Sequence, residues 1–224
     1  MMALDIPPDG LSAFLSLLRH SPSLIGCSVT YPHKQAAFEA VDCRTDRAAR
    51  LGALNTIRRD ENGGLTGDAT DGAAMCMAIA AKGGKIKGAR ARILGAGGGA
   101  GQAIADALCT AGLAQIALDD NDTKRQAQVA QILRRHWPQV EQVSTGVPAD
   151  ILVNATTLGN TATDICPFNT VAIARATIIC DVVTGGGPSP LVCEAIRQGK
   201  VTVTGADMGA GQLPTQLDFL GLSA

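Results

Sequence analysis

The segment Ile93-Leu94-Gly95-Ala96-Gly97-Gly98-Gly99-Ala100-Gly101 constrains the fold more than any other stretch of the chain. An apolar run at 90–94 leads into it and a helical pattern at 100–111 leads out, so the glycines stand at a strand-to-helix turn. In that setting Gly95 permits the tight turn and Gly97 lets a pyrophosphate approach the backbone, while the helix opening near Ala100 offers unpaired N–H groups and a positive dipole end. Gly95, Ala96, Gly97, Gly98, Gly99 and Ala100 are therefore candidate dinucleotide contacts. Taken alone, the same residues also suit a glycine-rich turn that holds no ligand.

The pattern around the loop sets the fold class. Apolar runs at 115–118, 151–153, 178–182 and 201–204 alternate with helical stretches at 73–81, 124–137 and 190–198, which predicts a parallel sheet covered by helices on both faces. Residues 73–205 are thus expected to form a doubly wound (Rossmann) α/β domain that binds a dinucleotide. Residues 1–72 read differently. Strands are predicted at 1–6 and 24–29, helices at 11–19 and 34–41, and a hairpin from 53–58 and 64–68 about the turn Asp60-Glu61-Asn62-Gly63. With 206–224 they are expected to form a smaller α/β domain for the substrate.

Composition narrows the function. Gly makes up 26 of 224 residues and aromatics only 3%, which favours close backbone packing over a core of large rings. Nineteen Lys and Arg against 20 Asp and Glu leave a net charge of −1, with no electrostatic footprint for nucleic acid or an anionic membrane. No apolar run reaches the roughly 18 residues of a membrane span, and the start has no basic-then-apolar leader, so a cytoplasmic location is expected. Seven cysteines, scattered and never spaced C-x-x-C, argue against a disulfide framework or a zinc site and are expected to be mostly reduced core residues. No metal is predicted.

Asp119, Asp120 and Asp122 lie at the end of the strand after the glycine loop, where an acid accepts hydrogen bonds from adenine ribose hydroxyls. Asp120 is the choice for that role. A 2′-phosphate would be repelled there, and the nearest bases, Lys124 and Arg125, are expected one turn into the next helix, so NAD is preferred and NADP remains possible. The alternative is that these acids merely cap that helix.

Beyond the nucleotide domain, Ser28-Val29-Thr30-Tyr31-Pro32-His33-Lys34 resembles an N-V-T-x-P-H-K segment, Gly52-Ala53-Leu54-Asn55-Thr56 a G-A-x-N-T, and Gly67 to Gly72 a G-D-N-T-D-G. Further on, Asn154 to Gly159 resembles N-A-T-S-x-G, Asp181-Val182-Val183 a D-x-V-Y strand, and Gly205 to Gln212 a final G-x-x-M-x-x-x-Q. Together and in this order they resemble the shikimate/quinate dehydrogenase family over nearly the whole chain. The resemblance implies reversible hydride transfer between NAD(P) and a ring hydroxyl of a cyclohexane or cyclohexene carboxylate. It places a catalytic Lys–Asp pair at Lys34 and Asp71, ring-hydroxyl contacts at Thr30, Asn55 and Gln212, and cofactor contacts at Thr156, Val182, Gly205 and Met208. His33 is expected only to satisfy backbone groups in its turn.

The chain also departs from the family. The glycine loop is one residue longer than G-A-G-G-A-x-R-A, leaving either Ala100 or Gly101 for the third small position. Thr184 stands where a pocket tyrosine is usual, and Asp120-Asn121-Asp122 replaces the N-R-T clamp of NADP-specific members. The family's first strand–helix unit, whose loop serines hold the substrate carboxylate, is expected to be absent, by a start placed too late rather than by natural reduction. That leaves a rival expectation, a non-catalytic dinucleotide-binding module. A homo-oligomeric scaffold is a third, and the enzyme is expected to be a monomer or homodimer.

Overall fold

Leu11, Leu15 and Leu18 recur at helical spacing, and the computed structural model, which describes residues 2–161, 165–185 and 187–222, buries all three on one face of helix α1, Leu11–His20. They pack with Ala37, Val41, Leu54, Ile57 and Leu65 as the core of one of two compact units, comprising residues 1–70 and 213–224. Its further elements are β1 (Gly26–Ser28), α2 (Lys34–Ala40), β2 (Cys43–Arg44), α3 (Asp46–Leu51), β3 (Thr56–Arg59) and β4 (Leu65–Asp68). The sheet order is β1-β3-β4-β2, with β3 antiparallel to both β1 and β4, and β2 parallel to β4. The predicted hairpin is therefore present. Asp60 closes it by accepting the Asn62 and Gly64 N–H groups at 2.9 and 2.7 Å.

Asp68, 1% exposed at the end of β4, anchors α3. Burial works to raise its pKa, but the Arg47 guanidinium, the Thr45 hydroxyl and the Ala69 N–H hold the carboxyl below its ordinary value. The strand expected at 1–6 does not form: residues 2–5 are exposed and outside any strand, and Met1 lies outside the described residues. A strand needs a neighbouring row of N–H and C=O groups, and Ile6 O instead accepts the His33 Nε2 proton at 2.7 Å. The expectation for His33 is thereby corrected: its ring does satisfy a backbone group, but one 27 positions away in the chain rather than in its own turn.

Residues 71–212 form the second unit. It holds α4 (Asp71–Ala81), β5 (Arg90–Leu94), α5 (Gly99–Thr110), β6 (Gln115–Asp119), α6 (Thr123–His136), β7 (Glu141–Gln142), β8 (Ile151–Asn154), α7 (Thr170–Arg175), β9 (Ile178–Asp181), α8 (Pro190–Arg197) and β10 (Val201–Val203). The last helix, α9, runs Gly205–Phe219 and carries Pro214. Its six strands are all parallel, in the order β10-β9-β8-β5-β6-β7, so the strand order reverses beside β5. This is the α/β doubly wound sheet expected, with a smaller mixed sheet in the first unit. Alternation sorts the two faces: Ile93, Ile116, Val153 and Cys180 join α4, α5 and α6, while Leu152 and Ile179 join Ile173, Leu191 and Ala195 from α7 and α8.

The cysteines correct the expectation of a mostly core set. All seven are free, but only Cys109 and Cys180 are buried, while Cys27, Cys76 and Cys166 are half-buried and Cys43 and Cys193 exposed. Loss of solvent pushes the Cys27 thiol up to about 11 and the Cys76 and Cys109 thiols up to about 12. Iodoacetamide at about pH 8 is expected to label Cys43 and Cys193 in minutes and to spare Cys76, Cys109 and Cys180 until denaturant is added. Peptide mass spectrometry reads the order, and early labelling of Cys109 would show the α5 packing to be wrong.

Candidate active site

The strand–helix turn is built as a cradle. Gly95 has φ +80°, in the left-handed region, and its N–H reaches Asp119 O at 2.8 Å, an oxygen it shares with Ala96 N–H at 3.1 Å. Gly98 is the N-cap residue of α5, and its carbonyl opens the helix ladder by accepting Gln102 N–H at 2.9 Å. The Gly99, Ala100 and Gly101 amides precede that bond, in the turn where a helix has no acceptors of its own. A Cβ on Gly101 would lie 2.1 Å from Gly95 O, so Gly101 rather than Ala100 fills the third small position. Small residues at the turn, an open helix start and an acid on the next strand fit a pyrophosphate-bearing cofactor.

The three acids after β6 have three roles. Asp119 pairs with Arg92 at 2.6 Å. Asp120, with its side chain only 4% exposed, accepts Gly97 N–H at 2.8 Å and Asp122 N–H at 2.9 Å. Asp122 caps α6, accepting Lys124 and Arg125 N–H at 2.9 and 3.1 Å. The capping alternative therefore holds for Asp122, while Asp120 faces the glycine loop. Lys124 and Arg125 stand in the first turn of α6, yet Arg125 is within reach of the acids before it. Its guanidinium reaches Asp120 Oδ1 and Asp122 Oδ2, both at 3.3 Å, the second as an i,i+3 pair on the helix start.

Of the remaining cofactor candidates, Thr156 and Val182 sit on the loops after β8 and β9, and Gly205 and Met208 in the first turn of α9 after β10. Thr156 donates its hydroxyl to Asn154 Oδ1 at 2.6 Å, and Val182 N–H bonds Asn154 O at 3.0 Å. Gly205 is buried where a Cβ would come within 2.6 Å of Val182 O. Met208, 7% exposed, has its side chain in the core. These segments all leave the carboxyl ends of parallel strands, where ligands bind in open α/β sheets.

Asp71 and Gln212, 141 positions apart, meet in the second unit: Gln212 Nε2 donates to Asp71 Oδ1 at 2.5 Å. Asp71 is 6% exposed and opens α4, where the helix dipole favours a carboxylate. Lys34, Thr30 and Asn55 belong to the first unit. Lys34 is half-buried at the first position of α2 and its carbonyl accepts Leu54 N–H at 3.2 Å. Thr30 is exposed, its carbonyl accepting His33 N–H at 2.9 Å. Asn55, 3% exposed, braces the residue before Asp71: its Oδ1 accepts Thr70 N–H at 2.6 Å and its Nδ2 donates to Thr70 Oγ1 at 3.0 Å.

Sequence reading missed Gln216, which donates to Ser28 Oγ at 3.0 Å, and Ser189, which donates to Asp181. The signal for Gln216 was its spacing four residues beyond Gln212 on one helix. Among the described residues no three His, Cys, Asp or Glu side chains group as a metal site. No described helix is long and apolar enough to cross a membrane.

Comparison with known proteins agrees with this architecture. Residues 1–57 match the profile of the shikimate dehydrogenase substrate binding domain. A shikimate dehydrogenase (NADP(+)) of Rubrobacter xylanophilus is 37% identical over 210 residues, covering 90% of this chain and 73% of that protein. Among solved structures, the ligand-free 5-ketofructose reductase of Gluconobacter sp. strain CHM43 superposes with a TM-score of 0.87 at 25% identity, over 97% of this chain and 80% of that one. The quinate dehydrogenase of Corynebacterium glutamicum in complex with NAD gives 0.82 at 28% identity, over 94% and 77%. With a doubly wound sheet, a glycine cradle at its switch point and this identity across most of a relative's length, the chain belongs to the shikimate dehydrogenase family.

Proposed function

We propose that the chain is an NAD(P)-dependent dehydrogenase that interconverts a ring hydroxyl and a ketone on a cyclohexane or cyclohexene carboxylate. The observation that carries this is the Gln212–Asp71 hydrogen bond, which fixes a buried carboxylate at the start of α4. A bound nicotinamide supplies the site that takes or gives the hydride. Lys34 and Asp71 handle the proton at the alcohol oxygen, which must leave as the hydride leaves. Thr30, Asn55 and Gln212 orient the ring hydroxyls, and residues 1–72 with 206–224 serve the substrate while 73–205 serve the cofactor.

NAD is the proposed cofactor. Asp120 presents a carboxylate at the ribose position, and Arg125 is held between Asp120 and Asp122. The Rubrobacter relative is named for NADP(+), and the Corynebacterium structure holds NAD. Calorimetric titration is expected to show tighter binding of NAD than NADP, and Asp120→Ala to reverse the order by removing a repelling charge and releasing Arg125 toward a 2′-phosphate. Tighter NADP binding by the parent chain removes Asp120 from the ribose. Activity is tested by nicotinamide reduction with shikimate and quinate and by dinucleotide oxidation with 5-ketofructose; dinucleotide binding without turnover of any of them leaves a binding module instead of an enzyme.

A further inference from the structure

Asp181 is a carboxylate that the proposed proton chemistry does not use. It ends β9 and is 1% exposed. Its register partner across the β8–β9 ladder is Asn154, itself fully buried, so the two side chains lie together on one face at the carboxyl ends of neighbouring strands. Asn154 Nδ2 donates to Asp181 Oδ1 at 3.0 Å and to Leu158 O at 2.9 Å, while its Oδ1 accepts the Thr156 hydroxyl at 2.6 Å and the Thr156 N–H at 3.2 Å. Asp181 also accepts Val183 N–H at 3.1 Å and the Ser189 hydroxyl at 2.5 Å. Ser189 in turn caps α8 through Val192 N–H at 3.2 Å.

The backbone ladder alone holds β8 to β9, so this side-chain network is not needed to pair them. What it fixes is the chain beyond each strand end. Asn154 shapes the turn through Thr156 and Leu158, and Asp181 shapes the turn through Val183 and seats Ser189. The two turns also touch directly: a Cβ on Gly159 would lie 3.0 Å from Ser189 Cβ. The first turn abuts the glycine loop, since a Cβ on Gly95 would fall 2.8 Å from Thr156 Cγ2. Burial pushes the Asp181 carboxyl above its ordinary pKa, so three donors spent on it mark a group retained despite the cost of burying it.

We propose that Asp181 is a positioning residue for the nicotinamide half of the cofactor, acting through Asn154 on Thr156 and through its own backbone on Val182. This rests on the dinucleotide reading above. The adenosine half, held by the glycine loop and Asp120, does not depend on it.

The test compares two ligands on each variant by calorimetry: the reduced dinucleotide the parent chain prefers, and ADP-ribose or its 2′-phosphate, which lack the nicotinamide. Asp181→Ala is expected to weaken the dinucleotide about tenfold, the worth of one to two hydrogen bonds, while ADP-ribose binding stays within about twofold. Turnover falls with it. Asp181→Asn keeps an acceptor for Asn154 and a donor for Ser189, and is expected to stay within about threefold of the parent for both ligands. A purely structural role would lower both affinities together, or neither, and would overturn the proposal. If Asp181→Ala does not fold, Ser189→Ala is read by the same ratio, expected to move about threefold; an unmoved ratio overturns the proposal. A parent chain that binds neither ligand overturns the dinucleotide reading and this inference with it, whereas a parent that binds both with an unmoved ratio overturns the positioning role alone.

Discussion

Lys34→Ala and Asp71→Asn are each expected to lower kcat by about two orders of magnitude or more, with dinucleotide affinity within about twofold of the parent. Hydride departure from a carbinol carbon leaves positive charge that only loss of the hydroxyl proton relieves. A positioned acid–base pair typically contributes 10²–10⁴-fold to such a step. Asp71 is suited to one half of the work. Its carboxylate opens α4, favoured there by the helix dipole, and Gln212 holds one oxygen at 2.5 Å. Asn at position 71 keeps the shape and the Gln212 contact but loses the charge, so a fall in kcat reports charge rather than packing. Gln212→Ala is expected to fall between parent and Asp71→Asn, because it frees the carboxylate without removing it. The glycine loop and Asp120 are untouched by these substitutions. Steady-state rates and calorimetry on the same preparations decide the matter: unchanged kcat in either single variant takes that residue out of the chemistry, and a matched fall in Tm and dinucleotide affinity shows it to be structural.

The parallel sheet was legible because its strands carry dense signal. Ile151-Leu152-Val153 and Ile178-Ile179-Cys180 are continuous apolar runs, as strands covered on both faces must be, and Gly95 to Gly101 marks the one turn that fixes their order. What stayed hidden was short or broken. Strands β2 and β7 have two residues each, and helices α3 and α7 six, too few for a period to show. Helix α9 was masked by Pro214 and by small residues such as Gly205, Gly209 and Gly211. At the site, motif resemblance found Asp71 and Gln212 but not their bond, since residues 141 positions apart meet only through the fold. The ion pairs of Arg125 stayed hidden for the opposite reason. Its position in sequence was plain, but whether a first-turn side chain points along the helix or back over the strand end depends on which carboxylates wait there. The predicted strand at 1–6 failed because its apolar residues had propensity but no partner ladder.

Gly101→Val is expected to lower Tm by several degrees and to weaken dinucleotide binding tenfold or more, while Gly99→Ala, two residues away, leaves Tm nearly unchanged. The contrast follows from where a Cβ would go. At Gly101 it would stand 2.1 Å from Gly95 O and 2.9 Å from Ala96 Cα, so α5 must back away from the turn that feeds it. Overpacking of this kind costs about 1–3 kcal/mol, and Val adds two further methyl groups to the clash. At roughly 2–4 °C per kcal/mol for a chain of this size, the melting shift is easily measured. Binding suffers separately, because the Gly99, Ala100 and Gly101 amides move with the helix start and no longer converge on one phosphate. At Gly99 a Cβ meets nothing within 4 Å, and Ala suits the first helical position better than Gly does. Both substitutions enlarge a glycine of the same loop, so loop entropy alone predicts similar effects, whereas helix–strand contact predicts a large difference. Differential scanning calorimetry of the two variants separates these, and dinucleotide titration of Gly101→Val reads the loss of binding. Equal melting would mean that the helix start is not held against Gly95, and that the extra residue in the loop is absorbed elsewhere.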